Sequence, residues 1–70
     1  MQRIISDQKI MHGKPVIKGT RVPVDVILGS LIAGMSYEEI TKEYGVTRED
    51  ILAAIEYAAD TVKKEEVIFA

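Results

Sequence analysis

The chain has 70 residues, a formal net charge of −2, no cysteine and a single histidine. That length makes one domain, residues 1–70, and the missing cysteines exclude disulfide staples and thiolate metal sites, while one histidine cannot build an imidazole zinc site. No run approaches the roughly 18 apolar residues of a membrane span, and "MQRIISD" lacks the apolar core and cleavage site of a leader, so a soluble, cytoplasmic protein is expected.

The charge is unevenly spread. Residues 1–21 hold Arg3, Lys9, Lys14, Lys18 and Arg21 against Asp7 alone, a net +4, which leaves −6 on residues 22–70. A basic strand and turn region thus precedes an acidic body. A domain this small buries only about 60% of its unfolded surface, and without staples or metal the remaining source of stability is association, which predicts a homodimer.

In chain order, "RII", "KIM" and "PVIK" are short apolar runs interrupted by Asp7-Gln8 and by His12-Gly13-Lys14-Pro15. The second interruption reads as a turn between two extended pieces, which predicts a short hairpin or strand region. The helical body, residues 22–66, opens at Pro23, expected at the first helical position, with Val22 held extended before it. Val24, Ile27, Leu28, Leu31 and Ile32 fall on one face of this first helix, and Gly34 stops it.

Ser36-Tyr37-Glu38-Glu39 has the pattern of a capping box and starts a second helix, with Tyr37, Ile40, Thr41 and Tyr44 facing inward and Gly45 as its stop. Thr47 followed by Asp50 offers a further N-cap. The third helix is expected from about Arg48 into "TVKKEE", with Ile51, Ala54, Ile55, Ala58 and Val62 inward and Glu49, Ala53, Glu56 and Asp60 outward. Val67, Ile68 and Phe69 form an apolar tail, residues 67–70, which packs on its own helices, on a symmetry mate or on a partner.

The second helix, the link Gly45-Val46-Thr47 and the third helix make a helix-turn-helix pattern across residues 36–62, with Ile40, Val46 and Ile51 as its inward contacts. The fold expected is mainly α, a three-helix, homeodomain-like bundle with a short N-terminal β-hairpin or strand region. Such a unit binds DNA through the start of its second helix, where Thr47 and Arg48 are the candidates here. Arg48 is outnumbered by Glu49, Asp50 and Glu56, so the cations for DNA would come from Lys9, Lys14, Lys18 and Arg21, with Arg3 beside them; solubilising lysines on a plain hairpin are the competing explanation. The acidic face of Glu49, Ala53, Glu56 and Asp60, with Val67, Ile68 and Phe69, suits a basic protein partner. His12 has no nucleophile, orienting group or ligand set at recognisable spacing, so neither an enzyme nor a cofactor is expected.

"HGKPVIKGTRVPVDVILGSLIAGMSYEEITKEYGVTREDILAAIEYA" resembles the family catalogued as domain of unknown function 433, over residues 4 to about 62. The specific parts are "HGKPVIKGTRVPV", "GMSYEEI" and "TREDILAAIEYA"; the motif residues are His12, Gly13, Lys14, Pro15, Gly19, Thr20, Arg21 and Pro23. The resemblance implies a compact helix-turn-helix domain acting as an antitoxin, which binds and inhibits a PIN-like ribonuclease toxin encoded beside it and binds operator DNA for autoregulation. It brings no catalytic residue and no metal. The alternative function is a stand-alone DNA-binding transcriptional regulator of the helix-turn-helix type.

Overall fold

A computed structural model describes residues 3–7 and 10–64, with residues 7 and 10–12 described by their backbone alone. Strands β1 (Ile4–Asp7) and β2 (Ile10–Ile17) form an antiparallel pair, and helices α1 (Val24–Ile32), α2 (Tyr37–Tyr44) and α3 (Arg48–Lys64) follow. The architecture is therefore mainly helical with a small N-terminal sheet, as expected. Lys9, Val67, Ile68 and Phe69 lie outside the described residues.

The hairpin differs from expectation in where it turns. The strands pair Ile4 with Ile17, Ile5 with Val16 and Ser6 with Pro15, and then the register jumps so that Asp7 pairs with Ile10. His12-Gly13-Lys14-Pro15 is thus not a turn between two strands but part of β2, lying at an irregularity of the ladder. The chain reverses between Asp7 and Ile10 instead. An irregularity of this kind accommodates extra residues on one strand without ending the pairing.

The second half of the motif builds a clasp. Ile17 to Thr20 form a turn closed by the Thr20 N–H donating to the Ile17 carbonyl at 3.0 Å. Gly19 takes φ +81° in its third position, the value a type II turn requires and one that L side chains resist. The Thr20 hydroxyl donates to the same carbonyl at 2.8 Å and accepts from the Val22 N–H at 3.0 Å, so one side chain holds both limbs. Ile17 N–H to Val22 carbonyl and a bridge between Val16 and Pro23 then tie β2 to the start of α1.

Pro23 stands one position earlier than expected. It is the N-cap, extended at φ −69° and ψ 148°, and its carbonyl accepts the N–H groups of Val26 and Ile27. The missing proline N–H is no loss there, because residue 23 uses its backbone only as an acceptor. At the other end, Gly34 at φ +93° lets the Met35 N–H return to Ser30 and its own N–H to Leu31, the paired bonds of a Schellman stop.

Both expected N-caps of the next helices are present. Ser36 and Glu39 exchange side chain and backbone bonds at 3.1 and 2.8 Å. Thr47 and Asp50 make the same reciprocal pair at 3.1 and 3.0 Å, so α3 also starts from a capping box. α2 ends at Gly45 with φ +69°.

The core consists of Ile4, Val16, Ile17, Val24, Ile27, Ile40, Val46, Ile51 and Ala54, all buried, with Leu28, Leu31, Met35, Tyr37 and Tyr44 packed around it. Every layer contributes to it. Ser30 is buried among them; its hydroxyl donates to the Val26 carbonyl and lies 3.3 Å from the Tyr44 hydroxyl, joining α1 to α2. Three residues expected inward are not: Ile32 is 88% exposed, Val62 62% and Ile55 36%. The helical stripe continues past the point where neighbours end, and beyond Ala58 every described residue of α3 is exposed. α3 outruns the bundle that its first two turns help to form.

Candidate functional site: a groove along the third helix

α3 is the longest element, and its exposed face carries most of the chemistry. Glu49, Leu52, Ala53, Glu56, Tyr57 and Asp60 recur at three and four residue intervals and therefore share one face of the helix. β1 lies alongside and adds Ile4, with Arg3 immediately before it. Together these residues line an open groove of about 460 Å³. Its floor is apolar, made by Ile4, Leu52, Ala53 and Tyr57, and its carboxylates are Glu49, Glu56 and Asp60.

All four helix residues expected to contact a protein partner, Glu49, Ala53, Glu56 and Asp60, line this one groove. Ala53 does so from a half-buried position against the core rather than from the outer face where the helical pattern put it. Leu52 and Tyr57 were not among the expected partner residues, yet they remain 46% and 38% exposed on the groove. The signal was available, because residues 52 and 57 stand three and eight positions after Glu49.

Electrostatics make the groove acidic. Among the described residues its single cation is Arg3, which is already engaged: its guanidinium donates to Asp50 Oδ1 at 3.1 Å. Partial burial raises the pKa of Asp50, but the Thr47 N–H, the Arg3 guanidinium and the Thr47 hydroxyl together outweigh it and hold the carboxyl below its usual range. A charged Asp50 is thus built into the fold, and Glu49, Glu56 and Asp60 remain to act on a ligand.

The residues considered for DNA are distributed differently. Lys14 pairs with Asp25 at 2.9 Å, and this hydrogen bond is the first cause of the lowered pKa of Asp25. The Arg48 guanidinium lies 4.9 Å from the centre of the Tyr37 ring, a cation–π contact between α3 and α2. Thr47 is occupied by its cap. Lys18 and Arg21 are exposed on either side of the Gly19-Thr20 turn, and among the described residues neither pairs with a carboxylate.

The motif residues therefore have structural tasks. Gly13 takes φ +84° at the irregularity of β2, Lys14 pairs with α1, Pro15 sits opposite Ser6, Gly19 and Thr20 form the clasp, and Pro23 caps α1. Arg21 is exposed, and the backbone of His12 lies in β2. Among the described residues no group of three or more histidine, cysteine, aspartate or glutamate side chains is arranged to hold a metal ion, and no helix is long and apolar enough to cross a membrane.

Comparison with known proteins fixes the family. The family model described as "Protein of unknown function (DUF433)" matches residues 4–58. The chain belongs to the DUF433 family. A Mycobacterium tuberculosis protein named "Putative antitoxin VapB45" is 32% identical over 56 residues, covering 80% of this chain and 23% of that protein. An uncharacterized protein of Archaeoglobus fulgidus is 68% identical over 25 residues, 36% of this chain and 69% of the relative. Among solved structures, the X-ray crystal structure of Rv2018 from Mycobacterium tuberculosis superposes with a TM-score of 0.68 at 33% identity over 74% of this chain and 24% of that one. This chain thus spans about a quarter of the length of the Mycobacterium tuberculosis relative and of the solved chain.

Proposed function

We propose that this DUF433 chain is the antitoxin of a toxin–antitoxin pair, a non-enzymatic inhibitor that holds a PIN-like ribonuclease through the acidic groove of α3. The observation that carries the reading is the groove itself: Glu49, Glu56 and Asp60 around an apolar floor, with Arg3, the one cation there among the described residues, already paired. A ribonuclease presents cations where it binds RNA, so an acidic groove with an apolar floor matches that face in charge and offers it anchoring contacts. The relative named an antitoxin, similar over 80% of this chain, supports the same direction. The DUF433 resemblance supplies the PIN-like class of the toxin.

Co-expression of the tagged chain with the product of the adjacent gene tests the proposal. Recovery of a complex that suppresses RNA cleavage is expected; a folded chain that retains no nuclease and leaves cleavage unchanged contradicts it. Operator binding by Lys18 and Arg21, alone or within that complex, is the second reading, favoured by their exposure beside the turn. It requires a mobility shift on the chain's own promoter that weakens with salt, since phosphate contacts release counterions. Homodimerisation would bring two such turns to one duplex, and sedimentation reads it directly.

A further inference from the structure

α3 carries a second pattern beside the acidic groove. Ile55, Ala59 and Val62 follow one another at four and three residues, so they share one side of the helix, and none of them lines that groove. All three are exposed, Val62 by 62% and Ile55 by 36%. Glu56 and Lys63, seven residues and about two turns apart, flank this apolar stripe on the same edge. Among the described residues neither of them forms an ion pair within the chain.

We propose that a second copy of the chain docks on this stripe, antiparallel, with the two-fold axis at Ala59. A pairing of that symmetry requires a surface complementary to itself, and the stripe has that property. Residues at equal distances on either side of position 59 then face each other. Ile55 of one copy comes within one residue, about 1.5 Å of rise, of Val62 of the other, and Glu56 is offset from Lys63 by the same small step. Each contact occurs twice. On the axis Ala59 meets Ala59, where a small apolar side chain lets the two backbones approach closely.

The charges favour this occupant and this direction. A parallel copy in register would set Glu56 against Glu56 and Lys63 against Lys63, whereas the antiparallel copy makes two opposite-charge pairs, the device by which flanking charges choose orientation in paired helices. An unrelated protein has no reason to match the pattern in both halves. Size limits the strength: from Ile55 to Lys63 the helix rises only about 12 Å, and such a seam covers less than the roughly 800 Å² per partner of a standard interface. The dimer is therefore dissociable, with a Kd on the order of 100 µM. Glu56 borders the acidic groove as well, while Glu49 and Asp60 stay clear of the seam. The proposal needs neither a toxin nor DNA.

Sedimentation equilibrium of the full chain between about 10 µM and about 1 mM tests it. A reversible monomer to dimer equilibrium is expected. Glu56→Lys or Lys63→Glu should weaken it at least about fivefold, because either change makes both flanking pairs repulsive. The double variant Glu56→Lys with Lys63→Glu restores opposite charges at both pairs and is expected to recover the dimer. A chain monomeric at about 1 mM, a dimer that both single variants leave intact, or a folded double variant no better than the singles overturns the proposal. Independently, in this cysteine-free chain Ala59→Cys is expected to oxidise to a disulfide-linked dimer, since the axis sets that position against itself. Thr61→Cys, exposed on the other side of α3, should cross-link far less, and equal cross-linking at the two positions contradicts the assigned seam.

Discussion

Arg3 and Asp50, 47 positions apart in the chain, meet at 3.1 Å and tie the residue just before β1 to the first turn of α3. Asp50 gives its other carboxylate oxygen to the Thr47 N–H, so one side chain both caps a helix and anchors the sheet to it. Arg3 is also one of the residues that line the acidic groove.

Stability should therefore fall on the acid side. Asp50, Asp25 and Glu39 all have pKa values lowered in the folded chain. Lowered values mean that the stabilisation is complete above the ordinary carboxylate range of about 4 and is lost as pH drops through the folded values. Asp50 is the least exposed of the three and should dominate. Asp50→Asn is expected to cost about 1 kcal/mol at neutral pH and to flatten the acid limb, read by urea melts between pH 7 and 3.

Thr47→Ala and Ser36→Ala remove the acceptors at the starts of α3 and α2. Each is expected to cost about 1 kcal/mol in the urea midpoint, and because the caps are well separated the two losses should add. A double variant that loses much less than the sum would show that the caps are not independent.

Thr20 acts as a latch across the turn. Thr20→Val keeps the shape but removes both hydroxyl bonds, for an expected loss of about 1–3 kcal/mol, while Thr20→Ser keeps them and should remain within about 1 kcal/mol of the original. Equal losses in the two variants would contradict the role assigned to the hydroxyl.

Burial separates isoleucines that look alike in the sequence. Ile51→Ala should cost about 2–5 kcal/mol, close to the whole stability of such a domain, whereas Ile32→Lys should stay within about 0.5 kcal/mol. Thermal melts of the two variants check the contrast.

These contrasts also mark what the sequence could convey. The starts and stops of α2 and α3 were legible because caps are local: Ser36 with Glu39, Thr47 with Asp50, and Gly45 carry their meaning within four residues. The inward set Ile40, Val46 and Ile51 was legible for the same reason, since each helix start fixes its phase. Ile32, Ile55 and Val62 were misplaced because periodicity says which side of a helix is apolar but not where the neighbour stops. The position of the hairpin reversal was missed because Gly13 and Pro15 are turn formers that here serve an irregular strand. The Arg3–Asp50 and Lys14–Asp25 pairs depend on tertiary approach, which spacing does not encode. Of the site, the carboxylates Glu49, Glu56 and Asp60, and by the same spacing Leu52 and Tyr57, could be read from the helix face, while the opposite wall with Arg3 and Ile4 depends on how the N-terminal strand packs beside α3.

The most direct test of the acidic groove is calorimetric titration of the adjacent gene's nuclease into the chain and into the triple variant Glu49→Gln, Glu56→Gln and Asp60→Asn. The substitutions remove charge at exposed positions and should leave the circular dichroism unchanged. A loss of at least about tenfold in affinity, smaller at high salt where the charges are already screened, is the predicted result. Equal affinity for both proteins at low salt would contradict the account and move the nuclease contact away from this face of α3.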